Sequence, residues 1–403
     1  MKILFISLGC DKNLADSEEM LGLLTGSGHE IVDSEEDADA IVINTCCFIH
    51  DAKEESVNTI LEMAEYKKTG KCKALIVTGC MAQRYKEEIT QEIPEVDAVL
   101  GTTSYGDIVK ALNEAQAGHV FQEFRDINEL PEDSGRRVLT TGGHFGYLKI
   151  AEGCDKHCTY CIIPSLRGKF RSVPEERLLA QAEYMASQGV KELILVAQET
   201  TVYGTDLYGK KTLHILLKKL CQIKGIRWIR VLYCYPEEIY DELIQVMKEE
   251  KKICNYLDLP IQHASDRILK RMGRRTTRKQ LEDIIAKLRR EIPDIVLRTS
   301  LITGFPGETQ EDHEELMEFV DEMEFDRLGV FTYSPEEGTP AETMEGQVPE
   351  EVKEERRDEL MSLQQEISLE KGDERIGQEL LVMIEGKVSG ESAYIARTYS
   401  DAP

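Results

Sequence analysis

Residues 153–161 read GCDKHCTYC and place Cys154, Cys158 and Cys161 in a C-x3-C-x2-C run. Three thiolates at this spacing can grip one face of an iron–sulfur cube and leave its fourth iron without a protein ligand. A structural metal site takes four ligands and a closed shell, so an open position marks a site built to bind something else. Two simpler readings compete. Cys154, His157, Cys158 and Cys161 also suit zinc, and Cys158 with Cys161 is a C-x2-C pair of the kind that forms a redox dithiol.

Working outward, the run follows a strand pattern at Tyr147–Ala151, the first of several. The others are Glu192–Ala197, Trp228–Leu232, Tyr256–Leu259, Val296–Ile302 and Leu328–Thr332, separated by helical patterns such as Glu175–Gln188, Leu213–Ile223, Pro236–Glu249, Thr277–Glu291 and Gln310–Met323. Repeated strand–helix units make a parallel sheet, and six of them make an open, partial (β/α)6 barrel over 140–370. Such barrels carry their sites at the C-terminal strand ends, where the cysteine loop lies. Gln198 and Glu199 end the second strand, Gln262 and His263 follow the fourth, and Gly304 to Glu308 follow the fifth. The glycines there allow a flat ligand close to the backbone. Each has a plainer alternative. Glu308 suits the first turn of the next helix, His263 is a candidate acid or base that equally suits a loop hydrogen bond, and Tyr160 suits a cover over the loop. The basic run 269–279 (LKRMGRRTTRK) could meet phosphates, and a solvated connection between helices is its ordinary role.

Upstream, residues 1–120 alternate strands at Lys2–Ser7, Ala40–Asn44, Ala74–Thr78 and Ala98–Leu100 with helices near Asp16–Gly26 and Ala52–Lys68. This is an N-terminal parallel α/β sheet domain. Cys10, Cys46 and Cys80 each follow one of its strands, about 35 residues apart in sequence. In a parallel sheet those ends share one edge, so the three thiols converge. Gly9 and Gly79 precede two of them and permit tight backbone paths. A second three-cysteine iron–sulfur site follows, with Cys47 and Cys72 outside it. Residues 121–139 read as a linker in which Arg136 and Arg137 could touch a substrate, a solvated turn being their ordinary role.

Eleven cysteines without a secretory signal point to a reducing cytoplasmic location, where thiols serve metals or chemistry. No apolar run is long enough to span a membrane. The net charge of −26 disfavours bare nucleic acid and favours a basic partner, although many acidic proteins are so for solubility alone. After an amphipathic helix at Pro349–Glu370, residues 371–403 hold strand patterns at Glu379–Glu385 and Ala393–Tyr399. Two strands alone are marginal, so they read as the first part of a truncated C-terminal β-barrel.

The motifs together resemble the methylthiotransferase family of radical S-adenosylmethionine (SAM) enzymes, over nearly the whole chain. That family has an N-terminal three-cysteine domain, a central radical SAM barrel and a C-terminal β-barrel called TRAM. The resemblance implies two [4Fe-4S] clusters, an auxiliary one on Cys10, Cys46 and Cys80 and a radical SAM one on Cys154, Cys158 and Cys161. SAM is the other cofactor. GFPGE (Gly304–Glu308) matches the family's GFPGET segment, and Tyr333-Ser334 with Gly338-Thr339-Pro340 matches its YS…GTP segment. Tyr160, Gln198, Glu199, Gly304 and Glu308 are the expected cofactor contacts.

Within the family the chain is similar to the branch that methylthiolates the β-carbon of an aspartate in the small-subunit ribosomal protein S-twelve. The match rests on NTCCFIHDAKEES (Asn44–Ser56), LPIQH (Leu259–His263) and YSPEEGTPA (Tyr333–Ala341). Cys47 departs from the glycine more usual there. RNA-directed relatives tend to carry a basic residue where Glu336 and Glu337 stand, and two carboxylates would repel a phosphate backbone and attract a basic protein. Gln262, His263, Glu336 and Glu337 are the expected substrate contacts. The target C–H bond is unactivated, so a carbon radical is required and the cofactor supplies it. The implied partners are ribosomal protein S-twelve or the small subunit and an electron donor of flavodoxin or ferredoxin type, with the enzyme a monomer. The rivals are a transfer-RNA methylthiotransferase and a non-catalytic iron–sulfur or zinc scaffold that binds RNA.

Overall fold

The computed structural model describes residues 1–132 and 135–403. They divide into two compact units. The first comprises Met1–Thr140, Ala151–Asp155 and Cys161–Val173, and the second comprises Thr141–Ile150, Lys156–Tyr160 and Pro174–Pro403. The division therefore cuts the cysteine loop: Cys154 and Cys161 group with the first unit and Cys158 with the second.

The first unit holds β1 (Lys2–Ser7), β2 (Glu30–Val32), β3 (Ala40–Thr45), β4 (Ala74–Gly79), β5 (Ala98–Leu100) and β6 (Phe121–Glu123), all parallel in the order β2-β1-β3-β4-β5-β6. The strands β3 and β4 are buried along their whole length, as continuous apolar runs in a parallel sheet must be. Helices α1 (Asp11–Gly26) and α5 (Ile108–Gln116) cover the face of Ile3, Val42, Ile76 and Leu100. Helices α2 (His50–Thr69), α3 (Cys80–Tyr85) and α4 (Glu87–Glu92) accompany the face of Ile41, Ile43, Leu75 and Val77. The edge strands β2 and β6 were not expected from sequence, being three residues each with no apolar run. Phe121–Glu123 thus belongs to the sheet rather than to a linker. Arg137 is not in a solvated turn either: it is buried and ion-paired to Glu18, which also accepts from the Thr140 amide. Also in this unit are the short pair β7 (Ala151–Glu152) and β8 (Arg171–Ser172), and α6 (Ile163–Arg167).

The second unit is built on six parallel strands: β9 (Phe145–Lys149), β10 (Glu192–Val196), β11 (Trp228–Val231), β12 (Ile253–Asp258), β13 (Val296–Thr303) and β14 (Arg327–Thr332). Among the described residues they pair in chain order as one open sheet, β9 to β14. Helices α7 (Glu175–Ser187), α8 (Thr205–Tyr208), α9 (Leu213–Leu220), α10 (Asp241–Glu249), α11 (Asp266–Arg271), α12 (Arg278–Glu291) and α13 (Gln310–Met323) lie between the strands, and α14 (Glu350–Asp373) follows. Thr277 and Thr309 open α12 and α13 with capping boxes, each hydroxyl accepting from a backbone N–H that the helix start leaves over. The basic run is the α11–α12 connection. Arg278 there is spent on Glu282, Glu318 and Glu322, and Arg271 donates to the Pro306 and Glu345 carbonyls.

Strands β15 (Val382–Lys387) and β16 (Tyr394–Thr398) pair antiparallel where two strands were expected. Arg397 bonds Glu192, and Glu192 in turn holds Arg230, fully buried on β11.

Candidate cluster and SAM sites

In the first unit the ends of β1, β3 and β4 carry Cys10, Cys46 and Cys80. Cys10 is the residue before α1, Cys46 follows Thr45, and Cys80 opens α3. Two glycines bring these backbones together. Gly9 has φ +86°, and a Cβ on it would stand 2.7 Å from the Cys46 Cβ. Gly79 has φ +92°, and a Cβ there would stand 2.3 Å from the Asn44 side-chain oxygen. Both conformations disfavour any residue with a side chain, and both approaches exclude one.

The anchor of this edge is Asn13, on the first turn of α1 and fully buried. Its amide nitrogen donates to the Leu8 carbonyl at 3.1 Å and to the Thr45 carbonyl at 2.9 Å, which fixes the chain just before Cys10 and just before Cys46. Its amide oxygen stands 3.9 Å from the Cys80 Sγ. Asn44 returns a bond to the Asn13 carbonyl, and the Ser56 hydroxyl clasps both the N–H and C=O of Cys46. One amide thus serves all three cysteine segments.

The thiols sense one another. Burial pushes Cys80 up to about 11, with Arg167 opposing and Cys10 and Cys46 adding to the rise. Burial raises Cys46 too, with Cys10 adding and Arg167 opposing. Arg167, at the end of α6, is itself buried. Its Nη1 bonds Asp16 at 2.8 Å and Glu152 at 3.2 Å, and its Nη2 bonds the Asn13 amide oxygen. Cys47 turns away into the apolar core, where burial pushes it up to about 12, and the Cys72 thiol donates to the Ala74 carbonyl.

This set fits an iron–sulfur cube. Three thiols meet at one sheet edge, the backbone is held close by two glycines, and a buried cation offsets thiolate charge. Among the described residues, no three such side chains close onto a single metal ion.

On the cysteine loop, the Cys154 N–H donates to the Gly168 carbonyl, and both residues lie in the first unit. In the second unit the loop segment 156–160 is pinned. Thr159 donates its N–H to the Met272 carbonyl and its hydroxyl to the Arg271 carbonyl, and it accepts from the Ala341 N–H. His157 sits at φ +53° and Cys158 Sγ lies 3.7 Å from the Tyr235 hydroxyl. Arg274 stacks on the Tyr235 ring at 4.2 Å. It is buried and bonds the Pro260 carbonyl through Nη2, while among the described residues its Nε and Nη1 have no hydrogen-bond partner. Against the penalty of burial, Tyr160, Tyr235, Cys158 and Glu237 hold its guanidinium more firmly charged than usual. Two orphaned donors on a buried cation call for an anionic acceptor. The carboxylate of SAM has that chemistry, so these donors suit SAM.

The expected cofactor and substrate contacts divide. Gln198 is half-buried after β10. Glu199 is buried, accepts from the Thr201 N–H at 2.9 Å, and is pushed up to about 7 by burial. Gln262 holds φ +73° while bridging to β13, a strained conformation of the kind that collects at sites. Glu337 is exposed. The remaining residues face the chain itself. Glu308 accepts from the Phe305 N–H and from Arg356 of α14, so both carboxylate oxygens are engaged. His263 is fully buried, accepts from the Ser265 N–H, and lies 3.6 Å from Glu308. A Cβ on Gly304 would stand 2.2 Å from the Lys353 Cγ, so the space it leaves is filled by α14. Glu336 is buried and bonded by the Ser334 hydroxyl, which leaves one exposed carboxylate where two were expected. Tyr160 sits edge-on to Phe305, which sits edge-on to Tyr333. Asn13 and Arg167 were not singled out from sequence, and Arg274 was named only within the basic run that could meet phosphates. The available signal for Asn13 was an asparagine three residues after Cys10, and its burial was visible only in the structure.

Comparison with known proteins places both halves. Residues 2–101 match the family model described as "Uncharacterized protein family UPF0004", and residues 148–320 match "Radical SAM superfamily". The chain is 64% identical over its full length to the protein named "Ribosomal protein uS12 methylthiotransferase RimO" of Lachnoclostridium phytofermentans, and spans 92% of it. It is 51% identical over its full length to the protein of the same name from Clostridium perfringens, spanning 90% of that chain. The fold is that of TsrM, a radical SAM methyltransferase of Kitasatospora setae, with TM-score 0.61, 12% identity, and coverage of 85% of this chain and 74% of that one. It is also that of the cobalamin-dependent radical SAM enzyme OxsB, with TM-score 0.56, 16% identity, and coverage of 92% and 56%.

Proposed function

The chain belongs to the RimO family of radical SAM methylthiotransferases, and from that premise we propose that it adds a methylthio group to the β-carbon of an aspartate in ribosomal protein S-twelve. The observation that carries the reading is the second cysteine set. A radical SAM enzyme that only abstracts hydrogen needs one cluster, whereas this chain brings Cys10, Cys46 and Cys80 to one sheet edge around Asn13.

When bound, two [4Fe-4S] clusters and SAM would supply a 5′-deoxyadenosyl radical and the sulfur that the substrate receives, with a second SAM supplying the methyl group. The chain's own residues hold and screen these groups. Cys154, Cys158 and Cys161 take the cluster that cleaves SAM, and Cys10, Cys46 and Cys80 take the auxiliary one. Arg274 offers Nε and Nη1 to the SAM carboxylate. Glu199, buried beside Lys156, and Gln198 line the same strand ends. Gln262 and Glu337 are the substrate contacts this geometry favours, whereas His263, Glu308 and Glu336 support them from behind.

A net charge of −26 and the exposed Glu337 favour a basic protein substrate over transfer RNA. The enzyme works in the cytoplasm, as a monomer, with an electron donor of flavodoxin or ferredoxin type. Among the described residues no helix is long and apolar enough to cross a membrane.

Anaerobic reconstitution followed by an iron count tests the reading. About eight irons are expected, falling to about four when Cys10, Cys46 and Cys80 are replaced. A count near four in the intact protein would remove the auxiliary cluster. Mass spectrometry of S-twelve and of transfer RNA after reaction then identifies the substrate.

A further inference from the structure

Arg167 is a buried cation in the segment that carries the radical SAM cysteines. Six positions separate it from Cys161 along the chain. The Cys154 N–H donates to the carbonyl of Gly168, its direct neighbour. From the end of α6 its guanidinium reaches the Cys10–Cys46–Cys80 edge, all within the first unit. There it bonds the Asn13 amide oxygen, the same oxygen that lies 3.9 Å from the Cys80 Sγ. Asp16 and Glu152 hold its other arm. α6 is docked independently, since the Thr102 hydroxyl donates to the Leu166 carbonyl at 2.8 Å.

We propose that Arg167 is a positioning residue for the Cys10–Cys46–Cys80 set, orienting Asn13 against Cys80 and setting the reduction potential of the auxiliary cluster by its charge. The inference rests on the assignment of Cys10, Cys46 and Cys80 to that cluster. Charge and hydrogen bonding close to the ligating sulfurs are the levers by which a protein tunes such a cluster. A cation stabilises the more negative, reduced form, so its loss moves the potential down. Residues that orient a ligand through a shared partner are felt in both metal retention and potential.

The test uses a parent in which Cys154, Cys158 and Cys161 are all alanine, so that only the auxiliary cluster titrates. Its midpoint potential is read by EPR-monitored redox titration, beside iron content after a chelator challenge. In this parent Arg167→Gln is expected to lower the potential and lose iron faster, and Arg167→Lys to stay near the parent. Arg167→Gln paired with Asp16→Asn strands one buried carboxylate fewer and keeps the Asn13 bonds to the Leu8 and Thr45 carbonyls. Measured against Asp16→Asn alone, the pair is also expected to lower the potential, which decides the matter should Arg167→Gln alone not fold. Unmoved potentials in that pair and in folded Arg167→Gln would overturn the proposal. So would equal shifts in Arg167→Gln and Arg167→Lys, because charge would then not be the cause. If the parent itself holds no iron, the cluster assignment and this inference fall together, whereas retained iron with unmoved potentials removes this inference alone.

Discussion

The amide of Asn13 stands between Arg167 and Cys80, accepting from the guanidinium through the oxygen that also faces the thiol. Its nitrogen is committed to the Leu8 and Thr45 carbonyls. Asn13→Ala strands these buried groups, each worth about 1–3 kcal/mol when left unsatisfied. The variant is expected to lower the denaturant midpoint and to lose about half the iron on reconstitution. Full iron content in a folded Asn13→Ala would show that the three cysteine segments do not depend on this amide.

Arg274 gives a separate prediction about SAM. Replacing it with methionine keeps most of the packing on Tyr235 and removes the two orphaned donors. A charge-assisted bond of this kind is worth roughly 1.5–3 kcal/mol, so SAM binding is expected to weaken about ten-fold or more. Equilibrium dialysis of SAM against the reconstituted protein measures it. Unchanged SAM affinity would place the carboxylate elsewhere.

Glu308 is expected to behave as a structural residue. Glu308→Ala leaves Arg356 buried without its partner, at a cost of about 3–5 kcal/mol. Chemical denaturation reads that loss. Replacing both residues with apolar ones restores much of the stability, and SAM affinity in the double variant is expected to match the parent. A large drop in SAM affinity there would return Glu308 to the cofactor site.

Glu199 predicts a pH dependence. Burial pushes its carboxyl up to about 7, while the unfolded chain titrates near the ordinary value of about 4.3. Between those values the folded state keeps a proton that the unfolded state has lost. Stability from this group is therefore highest at the acidic end and falls as the pH rises from about 4.5 to about 7, by up to roughly 3 kcal/mol. Glu199→Gln is expected to flatten that slope and to be the more stable protein at pH 8. Urea midpoints at several pH values compare the two, and parallel curves would refute the assignment.

Glu192 ties β16 to the parallel sheet of the second unit. It is fully buried between Arg230 and Arg397. Removing its charge leaves two guanidinium groups facing each other. Glu192→Gln is expected to open the β15–β16 hairpin to limited proteolysis well below the temperature at which the strand–helix core melts. Equal protection of the hairpin in parent and variant would argue that packing alone holds it.

Strands that are apolar runs bounded by turn residues were legible, and Lys2–Ser7 and the short Ala98–Leu100 begin and end where the pattern does. The start of α1 was not. Its first turns carry Asn13, Asp16, Ser17 and Glu18, all buried, in a stretch whose polarity reads as solvated. Their partners are strand ends, Arg167 and Arg137, which no local pattern reveals. Glu308 misled for the same reason in reverse. Its local context suits a ligand or a helix start, but Arg356, 48 positions later, occupies it.

Sequence alone determined the spacing of the six cysteines and their placement after parallel strands, because spacing and strand period are local properties of a chain. Tertiary structure alone decided which polar residues serve the cysteines and which serve the fold. The bond between Arg167 and Asn13 joins positions 154 apart, and a burial that sets charge and hydrogen-bond partners at that range exists only once the chain has folded.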